Sequence, residues 1–268
     1  MTDSDLKGKW ALILGASSGF GGATAARLAR EGMSVFGVHL DRKATIPNAE
    51  RVQAEVRKAG GEALFFNTNA AGHEERAQVL AQMKERLGAQ APGAVRVLLH
   101  SLAFGTLKPY IAGDPSAALT SKQLEMTLDV MAHSLVYWAQ DLVREGLMAE
   151  GGRIYAMTSS GGHRVWPTYG AVSAAKAALE SHIRQLAFEL ASRGIAANSV
   201  QAGVTDTPAL RKIPGNEQMI ELAERMNPHR RLTTPEMVAD AIACFSRAGT
   251  KWMTGNVIRV DGGEDIAG

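Results

Sequence analysis

The chain has one cysteine, Cys244, among its 268 residues. A solitary thiol excludes an internal disulfide framework and any zinc cluster built on cysteines, and it fits a reducing compartment. Charge of one sign is also scarce: Lys+Arg 29 against Asp+Glu 27 leaves +2, with no run of five like charges. That balance argues against a polyelectrolyte-type binder of nucleic acid or of a membrane surface. No apolar stretch nears the ~20 residues needed to span a bilayer. Met1 to Trp10 is polar and charged where a secretory signal would be apolar, so a soluble, cytoplasmic protein is expected. The histidines (His39, His73, His100, His133, His163, His182 and His229) show no paired ligand spacing, and no metal site is expected.

Glycine is abundant: 28 residues, about one in ten, with no collagen-like period, so the surplus needs local reasons. Apolar residues at 46% and charged residues at 21% are enough to bury a core. Short apolar, often β-branched segments alternate with longer segments of helical period, the pattern of repeated βα units. Trp10 to Leu14, Ser34 to His39, Ala63 to Asn67, Val95 to His100, Arg153 to Met157, Ala196 to Gln201 and Asn256 to Val260 read as strands. Helices are expected over Gly21 to Arg30, Ala49 to Ala59, Glu74 to Leu87, Ser121 to Met148, Tyr169 to Ser192 and Pro235 to Arg247. These elements predict an α/β, doubly wound (Rossmann-type) fold around a central, mostly seven-stranded parallel sheet. No compositional shift or repeat divides the chain, so residues 1–268 are expected to form one domain. Thr205 to Asn227, interrupted by Pro208, Pro214 and Gly215, looks like a helical flap over a site.

After the first strand, Gly15-Ala-Ser-Ser-Gly19-Phe-Gly21 leads into an alanine-rich helix. Glycines there remove the β-carbons that would keep a pyrophosphate from the free N–H groups at a helix N-terminus. Past the second strand, Asp41 could accept a hydrogen bond from a ribose 2′-hydroxyl, while Arg42 and Lys43 could pair with a 2′-phosphate. Two cations outnumber one acid, which favours NADPH and leaves NADH open. A solvated charged turn remains the plain alternative. Further on, Tyr169 and Lys176 fall on one face of a helix, about 10 Å apart. A phenol beside an ammonium suits oxyanion stabilisation and acid–base work, although the same pair could be an amphipathic edge.

Taken together, these features resemble the short-chain dehydrogenase/reductase family over nearly the whole chain. The matches come in the family's order: Gly15/Gly19/Gly21, Asn69 after the third strand, Ser159, Tyr169 with Lys176, Ala202-Gly203-x3-Thr207, and Thr254-Gly255-x4-Val260-Asp261-Gly262-Gly263. Members that reduce ketones carry Tyr-x3-Lys, but the residue four before Lys176 is Val172. The Tyr-x6-Lys spacing resembles the enoyl-acyl-carrier-protein reductases, in the bacterial subgroup that keeps the Gly-x3-Gly-x-Gly loop. His100-Ser101-Leu102-Ala103 is similar to the His-Ser-Ile run of that group, and Met131 stands where ketone reductases place a relay asparagine.

The resemblance implies a cofactor site at Gly15, Ser17, Ser18, Gly19, Phe20, Gly21, Asp41, Arg42, Lys43, Asn69, Ser101, Leu102, Ala103, Lys176, Gly203, Thr205 and Thr207. Tyr169, Lys176 and Ser159 would be catalytic. It also implies an enoyl thioester on acyl carrier protein or CoA as substrate, and a homo-oligomer, by family habit a tetramer. The displaced tyrosine has a geometric reason. Hydride addition to the β-carbon of an enoyl thioester puts negative charge on an oxygen two carbon–carbon bonds beyond the one charged in ketone reduction, and three helical residues move a side chain ~4.5 Å. Reduction of a ketone, quinone or 3-ketoacyl thioester, and a nucleotide-binding protein without chemistry, are the competing readings.

Overall fold

The computed structural model describes residues 5–267; residues 1–4 of the polar opening stretch, and residue 268, lie outside that description. Seven parallel strands form one sheet in the order β3-β2-β1-β4-β5-β6-β7. They are β1 Trp10–Leu14, β2 Ser34–His39, β3 Ala63–Asn67, β4 Val95–His100, β5 Arg153–Ser159, β6 Ala196–Ala202 and β7 Val257–Val260. The first four match the expected ranges, and the last three differ from them by one or two residues. Period-two alternation sorts each strand onto two cores. Trp10, Leu12 and Leu14 join Phe36, Leu98, Trp138 and Leu179 on one face. Ala11 and Ile13 join Val35, Leu28, Val238 and Ile242 on the other. Trp10 and Phe36 stack with ring centroids 4.1 Å apart.

Helices α1 Gly19–Arg30, α2 Ile46–Lys58 and α3 His73–Leu87 connect the first four strands, and α6 Gly170–Leu190 joins β5 to β6. Between β4 and β5 one long helix, Ser121 to Met148, was expected. The structure instead has α4 Ser121–Leu128, a π-turn over Asp129–His133 and α5 Ser134–Arg144. The break has a hydrogen-bonding cause: Thr127 Oγ1 donates back to the Gln123 carbonyl and Ser134 Oγ to that of Val130, at 2.8 Å each, and such back-bonds bend helices. The helix stops before Gly146, whose φ of +67° turns the chain toward β5. Met131 and Trp138 are core residues, whereas Met126 is only half-buried.

The stretch expected as a flap contains α7 Asn216–Met226, and α8 Pro235–Phe245 follows it. α8 is capped by Thr234, which accepts from the Met237 N–H. Among the described residues no helix is long and apolar enough to cross a membrane.

Candidate active site

In a parallel doubly wound sheet, ligands bind at the carboxyl ends of the strands, at the crevice where strand order reverses. Here that crevice lies between β1 and β4, which are neighbours in the sheet. The Gly15 N–H donates to Val38 and the Ser101 N–H to Leu14, each at 2.8 Å, so both loops leave the sheet side by side. They approach so closely that a β-carbon on Gly15, at φ +87°, would lie 2.4 Å from the Ser101 carbonyl oxygen. On Gly21 it would lie 2.1 Å from the Gly15 carbonyl. Both glycines are therefore required by backbone packing as well as by any ligand.

The first turn of α1 begins at Gly19 (φ +53°), and Ser18 at its N-cap makes no side-chain cap. Its opening N–H groups are thus left for an external acceptor, and the helix dipole favours an anion there. No acidic residue occupies this turn. A β-carbon on Gly19 would sit 3.6 Å from Thr207 Cγ2, so the residues after β6 close one side of the same bay. Thr205 and Thr207 are buried; Thr205 Oγ1 donates to the Gly203 carbonyl, and Thr207 Oγ1 accepts from the Leu210 N–H. The bay fits a dinucleotide pyrophosphate.

At the end of β2, His39 Nδ1 lies 2.8 Å from Asp41 Oδ2. Asn67 grips the Asp41 backbone in both directions, accepting from its N–H at 2.8 Å and donating to its carbonyl at 3.0 Å. Burial opposes ionisation of Asp41, but Thr45, Ser17 and His39 outweigh it and hold the carboxyl below its usual range. Ser17 belongs to the glycine loop, so this acid faces the bay. Arg42 and Lys43 are exposed beside it. Asn69 is exposed beyond β3 and accepts from the Ala71 N–H, whereas Leu102 packs on the core and Ala103 is open to solvent.

Tyr169 stands at the N-cap of α6. Burial raises its phenol pKa, and the nearby Ser159 hydroxyl opposes the rise. Ser159 Oγ is itself buried without a hydrogen-bond partner. Gly161 makes the space: a β-carbon there would lie 2.6 Å from Tyr169 Cε1 and 3.1 Å from Ser159 Oγ. Two turns along the helix, Lys176 is 7% exposed and donates from Nζ to the Met157 carbonyl at 2.8 Å. Burial depresses its pKa to about 8, with Glu180 opposing. Val172, in the position ketone reductases give to tyrosine, is buried in the core.

Beneath this group His100 is fully buried, and burial, reinforced by Lys176, pushes its pKa down to about 3. Ser134 Oγ donates to Val130, so it accepts from His100 Nε2 at 2.9 Å, and His100 Nδ1 is left buried without a partner. Tyr169, Lys176 and Ser159 thus lie together at the end of β5, while among the described residues no side-chain hydrogen bond or ion pair fixes the Arg42 guanidinium or the Lys43 ammonium. Asn67 and Glu180 join the site with no signal in the sequence to mark them.

A glycine-lined anion bay at the switch point of a doubly wound sheet, with a phenol and a lysine across from it, defines the short-chain dehydrogenase/reductase class. The family model described as enoyl-(acyl carrier protein) reductase matches residues 15–264, and the chain belongs to this family of oxidoreductases. It is 31% identical to a 1-cyclohexenylcarbonyl-CoA reductase of Streptomyces collinus, over 95% of this chain and 86% of that one. It is also 31% identical to FabI, the enoyl-[acyl-carrier-protein] reductase [NADH] of a Nostoc species, over 82% of this chain and 81% of the other. Among solved structures, the promiscuous reductase LugOII, described as catalysing keto-reduction at C1 during lugdunomycin biosynthesis, superposes with a TM-score of 0.82 at 30% identity. That match covers 97% of this chain and 99% of LugOII.

Proposed function

We propose that the protein reduces the carbon–carbon double bond of a trans-2-enoyl thioester carried on acyl carrier protein or CoA. The observation that carries this reading is the placement of the phenol: Tyr169 sits in the space left by Gly161, beside Ser159, while Val172 is sealed in the core. The acid is thereby set one helical turn away from where a ketone oxygen would need it. A bound NAD(P)H would supply the hydride for the β-carbon of the substrate. Gly15, Ser17, Ser18, Gly19, Phe20 and Gly21 would hold its pyrophosphate, and Asp41, Arg42 and Lys43 its adenosine ribose. Asn69, Ser101, Leu102, Ala103, Gly203, Thr205 and Thr207 would line the remainder.

Burial keeps the Tyr169 phenol protonated at neutral pH, so it donates a hydrogen bond to the thioester oxygen as that oxygen gains charge. The neighbouring ammonium of Lys176 favours that charge and would also hold the nicotinamide ribose hydroxyls. Ser159, with an unused hydroxyl, is a second donor at the same place. The α-carbon takes its proton from solvent, completing addition of one hydride and one proton. The chain works as one domain, with residues 205–227 covering the acyl chain, and assembles as a homo-oligomer. The names of the Streptomyces and Nostoc relatives, each a reductase of an unsaturated thioester, support the substrate class.

Similarity to LugOII favours a second reading, reduction of a ketone with Tyr169 acting from its shifted position. Replacing Tyr169 by Phe tests both. Turnover of an enoyl thioester is expected to fall by at least about a hundredfold while cofactor affinity stays within a factor of ~2. Unchanged turnover in Tyr169→Phe would contradict the assignment.

A further inference from the structure

The segment that delivers Tyr169 is held in a conformation its own residues disfavour. Thr168, immediately before the tyrosine, has φ +63°. A β-branched residue in the left-handed region is an outlier that persists only where its surroundings impose it. Thr168 Oγ1 gives no help, since it is buried without a hydrogen-bond partner. Upstream, His163 and Arg164 are surface residues whose side chains turn inward to one carboxylate, that of Asp265.

Asp265 lies on a different part of the chain, after β7, and its side chain is 4% exposed. Its Oδ1 takes His163 Nε2 at 3.1 Å and Arg164 Nε at 3.0 Å. Its Oδ2 takes Gln201 Nε2 at 3.0 Å and Arg259 Nε at 3.1 Å. Arg164 Nη2 reaches the Asp265 carbonyl as well, at 2.6 Å, and the Asp265 N–H is fixed by Asp261 Oδ2 at 3.0 Å. One carboxylate therefore ties the loop before Tyr169 to β6, through Gln201, and to β7, through Arg259. Charge-assisted bonds of this kind are the strong ones. At the loop's far end, Trp166 Nε1 donates to the Pro214 carbonyl at 3.2 Å, and the Trp166 carbonyl accepts from the Tyr169 N–H.

We propose that Asp265 is a positioning residue for the reaction: by clamping His163 and Arg164 it holds the loop in which Thr168 is strained, and so sets where the Tyr169 phenol stands. The proposal rests on Tyr169 being the acid of the reaction. Glu264, next in the chain, does a separate job, accepting from the Val204 N–H below Gly203.

The test uses Asp265→Asn, Asp265→Ala and each combined with Thr168→Asn, because asparagine tolerates the left-handed region that threonine resists. Two readouts are taken on the full chain: amide hydrogen exchange across residues 160–170, and kcat, KM and cofactor Kd with NADPH, NADH and crotonyl thioester. Loss of the clamp should speed exchange in that segment and lower kcat about ten- to a hundred-fold, with cofactor Kd within about twofold. Thr168→Asn, by removing the strain, should restore most of the kcat in the Asp265→Asn background, which a merely destabilising lesion would not allow. Wild-type exchange and kcat in both Asp265 variants would overturn the proposal. So would a kcat loss that Thr168→Asn leaves unrepaired while cofactor affinity and Tm fall in proportion. Exchange is also measured in Tyr169→Phe with and without Asp265→Asn. That readout does not depend on which residue reacts, so an active Tyr169→Phe would sink the catalytic reading while the exchange result still judged the clamp.

Discussion

Substituting Gly161 by alanine isolates the placement of Tyr169 from its chemistry. Gly161 has no positive φ, so alanine suits its backbone and slightly stabilises the folded chain by restricting the unfolded one. The added methyl, however, would lie 2.6 Å from Tyr169 Cε1. Carbon atoms in contact sit ~3.5–4.0 Å apart, so the ring must retreat by about 1 Å. A misplacement of that size at a reacting group costs on the order of a hundredfold in rate, or about 2.7 kcal/mol of barrier. Ser159 Oγ, at 3.1 Å from the same methyl, cannot yield without losing its own place. The assay is steady-state oxidation of NADPH or NADH with crotonyl thioester, accompanied by cofactor titration and a thermal melt. Gly161→Ala should lower kcat by about two orders of magnitude, with cofactor Kd near wild type and Tm within a few degrees. Gly162→Ala is the comparison: a β-carbon there meets Glu180 Oε1 at 3.3 Å and, at the ordinary contact distance of 3.5 Å, Lys176 Cβ, and Tyr169 is not among its nearest neighbours. Wild-type kcat in Gly161→Ala would refute the claim that this glycine positions the acid.

Three other outcomes follow from the same geometry. Because burial lowers Lys176 from the ordinary 10.5 to about 8, the native state binds fewer protons than the unfolded one between those values. The contribution of this group to stability therefore rises from pH 8 to 10.5 and is lost as pH falls through 8; activity that needs the ammonium should instead decline above pH 8. A kcat/KM profile flat to pH 10 would contradict this. Gly15→Ala forces a side chain into φ +87° and to 2.4 Å from the Ser101 carbonyl, each effect costing about 1–3 kcal/mol, and calorimetry should show a Tm lowered by several degrees. At the ribose end, Arg42→Ala with Lys43→Ala should weaken NADPH about tenfold and leave NADH unaffected. Asp41→Asn should shift preference toward NADPH, and equal Kd ratios in all three proteins would remove these residues from coenzyme choice.

The sheet was legible because its strands are short and apolar, and the central ones are buried on both sides, so periodicity and glycine punctuation agree. The long helix before β5 was misjudged because its interruption comes from Thr127 and Ser134 bonding back to their own helix, which leaves the apolar spacing intact. Tyr169 and Lys176 could be paired from spacing alone, since one helix carries them both. The grip of Asn67 on Asp41 was invisible, because it joins the ends of β2 and β3, which only the sheet brings together. Asp265 is the extreme case: its partners His163, Arg164, Gln201 and Arg259 come from three regions of the chain, and no local pattern marks a carboxylate whose value lies in what it connects.

The central claim is that the tyrosine stands where an enoyl thioester, and not a ketone, develops its negative oxygen. Steady-state NADPH and NADH oxidation by the wild-type protein, measured side by side with crotonyl and acetoacetyl thioesters of the same carrier, addresses it directly. The placement of Tyr169 predicts a kcat/KM for the enoyl substrate at least about a hundredfold above that for the ketoacyl one. Equal values, or a preference for the acetoacetyl thioester, would contradict it.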